Sequence, residues 1–396
     1  MVRGDGAMVK SPDVIVVGAG PAGATVAREL AAGGLAVLLL DKNPSPRTKL
    51  CAGGLTYRAV QEMGILLPES LIRERCSTFR AVLGSRVQEI TLSEPFVFTV
   101  DRREFDAWLL EAAQEKGVVV REGEEVLRVE LGTAGPRLVT TRGSYNPSLV
   151  IGADGVLSRV AAALGQKSRL PAAPSICAEI SLPEGKNGSS WCGTTETHWG
   201  YFRWGYGWVF PKGDRLSVGL ACWDGEKVDL KALWPEFIHG LGLPVSAVSG
   251  HLIPVGGGRQ VRVEDGVILL GDAAGYADPR TGEGILYAFC SARLAAATVL
   301  RLRAQGLPFT ASNLKDYEQA CYQSFGRDLA WALALNTLAR SQPELWRQLF
   351  FTGPEWFSEF LQVVRGKKNY RQFAMWALSR LPLGLFQLPS RLGGIV

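Results

Sequence analysis

The chain has 396 residues, of which 47% are hydrophobic and 20% charged, with 43 Lys and Arg against 38 Asp and Glu. That length calls for two or three domains around a large core, and the composition excludes disordered and fibrous architectures. A net charge of +5 is too small an excess to argue for nucleic acid, and none is expected as a partner.

The excess is local. From Phe325 onward nine basic residues stand against four acidic ones, whereas the rest of the chain carries 34 of each. Seven Cys without a C-x-x-C pair argue against a disulfide framework, a zinc site or an iron–sulfur cluster. His198, His239 and His251 show no H-x-x-x-H spacing, and no metal is expected. Residues 1–13 are polar and lack an apolar signal core, so a cytoplasmic location is expected.

In chain order, Asp13–Val17 is a β-branched run that closes on Gly18-Ala19-Gly20-Pro21-Ala22-Gly23, and Ala24–Ala32 is a good helix. Leu35–Leu40 follows as a strand ending in Asp41, which lies 18 residues beyond the third glycine. This is a dinucleotide-binding βαβ unit. Gly18 makes the turn, Gly20 admits the pyrophosphate, and Gly23 allows close helix–strand packing. The helix N-terminus faces the diphosphate and Asp41 accepts from a ribose. Val14–Leu40 is long enough to span a bilayer, but its glycines, proline and charges read as strand–turn–helix–strand.

Two later segments select FAD over NAD. Ser148–Ala153 runs into Asp154 and Gly155, and Val267–Leu270 runs into Gly271 and Asp272, followed by small residues that open a helix. A Gly-Asp at the end of a buried strand suits a second approach to the dinucleotide.

Together and in this order, these segments resemble the p-hydroxybenzoate-hydroxylase type of FAD-binding fold. Within that superfamily the chain resembles the geranylgeranyl reductase family over about residues 12–310. The narrower match rests on Lys49-Leu50-Cys51-Ala52-Gly53-Gly54, on Tyr206-Gly207-Trp208-Val209-Phe210-Pro211-Lys212 and on Asp278-Pro279-Arg280-Thr281-Gly282-Glu283-Gly284-Ile285. The resemblance implies a mixed α/β architecture. A discontinuous Rossmann-like FAD domain is expected at 1–80, 100–172 and 256–308, a substrate-binding antiparallel sheet at 81–99 and 173–255, and a helical region at 309–396.

It also implies a cofactor set of Gly18, Gly20, Ala22, Gly23, Asp41, Lys42, Cys51, Ala52, Gly53, Arg102, Asp154, Gly155, Gly271, Asp272, Gly282, Gly284 and Ile285, with Arg103 an alternative to Arg102. Cys51 is expected near the isoalloxazine, where an exposed thiol binds substrate, donates a proton or simply packs. Backbone amides at Gly282 and Gly284 would approach the flavin, and Glu283 is a candidate member of a proton network.

Nine aromatics fall within residues 191–223, and Trp204, Tyr206, Trp208 and Phe210 alternate at period two, on one face of a strand. With Pro211 they are read as a wall of an apolar pocket rather than as plain sheet core. The function that follows is reduction of isolated C=C bonds of a polyprenyl lipid by reduced flavin, with Cys51, Tyr206 and Glu283 as catalytic candidates. NADPH or a ferredoxin is the expected electron donor. One alternative is a flavin-dependent monooxygenase or halogenase; another is a non-catalytic lipid-binding or electron-transfer flavoprotein. The aromatic, basic end of the chain is read either as a cap that touches the anionic inner face of a membrane or as a domain packed on the body.

Overall fold

The computed structural model describes residues 2–4, 7–9, 12–132, 135–165, 172–182, 191–223, 228–258 and 261–380. Leu381, Leu383, Leu385, Phe386 and Arg391 of the aromatic, basic end lie outside the described residues.

Apolar β-branched runs buried on both faces favour a parallel sheet. Val14–Val17, Val37–Asp41, Val119–Glu122, Leu149–Gly152 and Val267–Leu269 pair in parallel, and Val263–Glu264 adds one antiparallel edge. Spatially the order is 119–122, 37–41, 14–17, 149–152, 267–269 and 263–264. Val14, Ile15, Val16, Leu149, Val150, Ile151, Val267 and Ile268 are fully buried at its centre. Helix Pro21–Ala32 covers the sheet, starting with Pro at its first position, where the missing N–H is not needed. Helix Ile285–Ala304 packs against it through Ala292, Ala295 and Ala296. By length and composition this last helix could cross a membrane, but most of it is buried inside the fold.

Between strands Leu149–Gly152 and Val267–Leu269 the chain leaves to build five strands of a seven-stranded sheet, which the earlier Thr78–Leu83 and Arg86–Thr91 complete. Its order is 249–254, 172–181, 215–222, 205–212, 194–199, 78–83 and 86–91. All neighbours are antiparallel except Thr194–Trp199 on Thr78–Leu83. Strand Val97–Val100, assigned from sequence largely to this sheet, instead pairs with Gly54–Thr56 and Ile72–Cys76. That small sheet packs against strand Gly205–Lys212 of the seven-stranded sheet and against helix Ile285–Ala304.

Helices Ala311–Cys321, Arg327–Ser341, Pro343–Thr352, Pro354–Val364 and Tyr370–Leu378 complete the described chain. Most of their aromatic residues point inward: Trp346, Phe351, Trp356, Phe357, Phe360 and Phe373 are buried, whereas Trp331 is exposed. Trp346, Trp356, Phe360 and Phe373 share a core with Trp204, Trp208 and Trp223, while Phe351 and Phe357 pack on Ala81 of the seven-stranded sheet. The buried aromatics of the described helices are therefore accounted for by packing on the body.

Candidate functional site

A cleft of about 1150 Å³ opens at the C-terminal ends of the parallel strands, where open α/β sheets bind ligands. Gly18, Gly20, Asp41, Lys42, Arg47, Asp154 and Gly155 line it. Gly18 has φ +101°, and a Cβ there would collide with the Ala153 carbonyl. Gly23 meets the Gly18 carbonyl so closely that a side chain is excluded. These contacts press helix and strand together and leave backbone, not side chain, facing the cleft. Asp41 Oδ2 accepts from the Ala19 amide at 2.7 Å and Oδ1 from the Asn43 amide at 2.9 Å, which fixes the carboxylate at the strand end. Arg47 Nε lies 3.6 Å from Asp41.

Beyond Gly20 and Ala153 the cleft runs into an inner pocket of about 280 Å³. Lys49 lines both cavities, and Cys51, Ala52, Arg102, Gly282, Glu283, Gly284 and Ile285 line the inner pocket. Apolar walls continue from there through Phe79, Phe96, Trp199, Tyr206, Trp208 and Phe210. The fit to FAD is direct: a long cleft with a glycine cradle and a ribose-accepting carboxylate leads to a narrower chamber of glycines and small residues.

A sequence profile of the FAD binding domain matches residues 11–182. A geranylgeranyl diphosphate reductase of Rhodobacter capsulatus is 31% identical over 318 residues, covering 75% of this chain and 77% of its own. The chain belongs to the geranylgeranyl reductase family. It is an FAD-dependent oxidoreductase. The crystal structure of a geranylgeranyl bacteriochlorophyll reductase-like protein from Thermoplasma acidophilum superposes with a TM-score of 0.75 at 24% identity, covering 84% of this chain and 88% of that one. The halogenase PltM superposes with a TM-score of 0.67 at 18% identity over 93% of this chain and 86% of its own, a likeness of fold alone.

The fold places most of the family's motif residues on the two connected cavities. In Lys49–Gly54 the Cys51 side chain is half-buried on the inner pocket, and its sulfur accepts from the Gly53 amide at 3.4 Å. Gly53 has φ +74° and abuts the Val100 carbonyl, so it shapes the turn without lining the pocket. Arg102, expected on the FAD, is buried, and its Nε and Nη2 hold Asp106 at 2.8 and 2.9 Å. It reaches the pocket wall beside Cys51. Arg103 contributes only its amide, to the Asp101 cap.

Three expectations change in detail. Asp154 lines the cleft, but its oxygens accept from Ser158 Oγ at 2.5 Å and the Arg159 amide at 2.7 Å, so it caps helix Arg159–Ala163. Trp204 precedes its strand rather than continuing the stripe, and its indole N–H donates to Asn336 at 2.7 Å, away from the pocket lining. Pro211 is also off the lining, and its carbonyl accepts from Thr99 Oγ1 at 2.6 Å. Tyr206, Trp208 and Phe210 remain as the wall. The period-two pattern therefore holds for three residues and stops where the strand stops.

Of the proton-bearing candidates, Glu283 is the most perturbed in the useful direction. Burial pushes its carboxyl up to about 7, against a hydrogen bond from Thr56 Oγ1 at 2.6 Å that favours the ionised form. Tyr206 donates to the Thr281 carbonyl, and burial raises its phenol above the ordinary value. It therefore holds its proton.

Sequence reasoning missed Arg47, Thr56, His251 and Arg280. Arg47 follows Asp41 by six residues on the same loop, a signal that was present. His251 had none: it comes from a strand at the far edge of the seven-stranded sheet and lines both cavities. Burial, helped by Lys49, pushes it down to about 4, so it stands neutral at physiological pH.

Proposed function

We propose that the protein hydrogenates isolated C=C bonds of a polyprenyl lipid. The observation that carries this reading is the continuity of the flavin-facing segment Gly282–Ile285 with walls made of Phe79, Phe96, Trp199, Tyr206, Trp208 and Phe210. An apolar chain fits such walls. Relatives named geranylgeranyl diphosphate reductase and digeranylgeranylglycerophospholipid reductase support the same substrate class.

Gly18, Gly20, Ala22, Asp41, Lys42 and Arg47 would hold the nucleotide half of FAD, and Ala52, Asp272, Gly282, Gly284 and Ile285 the ring. When bound and reduced, FAD would supply the hydride chemistry of the reduction. The chain supplies the rest. An unactivated double bond takes a proton at one carbon, so an acid must be protonated at working pH and face the apolar chamber. Glu283, with its carboxyl near 7, meets both conditions, and Thr56 orients it. The aromatic walls exclude water and align the chain, which turns encounter into a unimolecular step. Cys51 lies on the same lining and is the second candidate proton source.

Anaerobic incubation of chemically reduced holoenzyme with geranylgeranyl diphosphate tests this. Mass spectrometry is expected to find products heavier by two hydrogens per reduced bond. Flavin that stays reduced with every polyprenyl chain supplied, yet oxidises with oxygen and a small aromatic substrate, overturns it in favour of a monooxygenase.

A further inference from the structure

Arg280 is surrounded by groups that do not answer its chemistry. It lies on the inner pocket lining, and its guanidinium carbon sits 5.1 to 5.9 Å from the ring centroids of Phe360, Phe350, Trp204 and Trp346. Ring faces accept positive charge but offer no lone pairs to a planar fork of five N–H donors. Among the described residues its side chain makes no ion pair or hydrogen bond, and Nε is buried without a partner. Asp278 is nearby but engaged: Oδ1 accepts the amides of Arg280 and Thr281 at 2.8 and 2.9 Å, and Oδ2 the Tyr370 hydroxyl at 2.8 Å. A buried cation with unmet donors is costly unless an anion completes it.

We propose that Arg280 recognises the oxyanion of an amphiphile head group, phosphate or carboxylate, whose apolar chain lies along the aromatic walls. This rests on reading the pocket as a lipid site, and not on hydrogenation. The competing role for Arg280 is a latch that ties helices Pro343–Thr352 and Pro354–Val364 to the body through its four rings.

The two roles separate in a chain-matched titration of FAD-loaded protein, by calorimetry, with dodecyl phosphate, dodecanol and inorganic phosphate. The wild type is expected to bind dodecyl phosphate about 10- to 100-fold tighter than dodecanol, the range of a charge-assisted hydrogen bond in a water-poor site. Arg280→Met is expected to bind the two equally, and Arg280→Lys to keep part of the preference. Equal binding of both amphiphiles by the wild type overturns the proposal, whatever the variants do. So does a preference that survives in Arg280→Met while its Tm falls, which is the signature of a latch. Inorganic phosphate that binds as tightly as dodecyl phosphate overturns the amphiphile and leaves a free-phosphate site. If the titrations behave as expected but no prenyl chain is ever saturated, the functional reading fails and this one stands.

Discussion

The FAD cleft and the apolar pocket share a rim but are built by opposite means. The cleft is made of backbone. Its decisive contacts, Gly18 against Ala153 and Gly23 against Gly18, involve atoms that every residue has and depend on side chains being absent. The pocket is made of side chains, and it is fixed by contacts between residues far apart in sequence: Tyr206 on Thr281 in its wall, and Trp204 on Asn336 and Tyr370 on Asp278 behind it. The cleft tolerates no side chain at Gly18 or Gly23, whereas a side-chain site can be retuned one residue at a time.

The strongest way to break that contrast is Gly18→Val. A branched side chain at φ +101° against the Ala153 carbonyl is expected to abolish FAD retention, so the purified protein should be colourless by absorbance at 450 nm with its lipid-pocket residues untouched. A yellow Gly18→Val protein would show that the cradle is more pliable than its geometry.

Glu283→Gln comes next. It is expected to slow single-turnover reduction by about 10²-fold or more, the usual contribution of a general acid, with FAD content unchanged. Wild-type rate should fall as pH rises through about 7, while the variant's rate is flat. The stability sign is also fixed. The folded carboxyl titrates at about 7 and its ordinary value is 4.5, so between those values the native state binds more protons and loses stability as pH rises. The variant escapes that loss, and its Tm relative to wild type should climb from pH 4.5 to 7 and then level.

Tyr370→Phe sharpens the comparison from the other side. Removing a buried hydroxyl from Asp278 is expected to cost about 1–3 kcal/mol in denaturant unfolding and to weaken turnover several-fold without loss of FAD. The smallest effect belongs to Phe210→Leu, a nearly volume-neutral change in the wall. It should leave stability within about 1.5 kcal/mol and alter only the preferred chain length, read as a ratio of kcat/KM values for two prenyl substrates.

The same contrast explains what could be read in the amino-acid sequence. Glycine spacing, strand and acid lie within 24 residues from Gly18 to Asp41, so the cofactor site was legible locally. Asp154 was assigned to the cofactor on equally good local grounds. Its engagement by Ser158 and the Arg159 amide emerged only when the short helix after it was seen. The pocket wall was legible as far as alternation lasts. That Trp204 leaves the pattern depends on Asn336, which is 132 residues away, and no period of two carries that information. His251 and Arg280 were silent for the same reason: each gains its meaning from elements brought together only by the completed fold.

Asn336 has a consequence for the order of assembly. Its Oδ1 accepts from Trp204 and its Nδ2 donates to the Pro279 carbonyl at 3.2 Å, so one amide joins the sheet, the flavin-facing loop and the last helices. Everything that lines the nucleotide cleft has been synthesised by Leu252, and the flavin-facing loop by Ile285. The pocket must wait for Asn336, Phe360 and Tyr370. As domains form from the N-terminus during synthesis, the growing chain completes the lining of its FAD cleft before that of its apolar pocket.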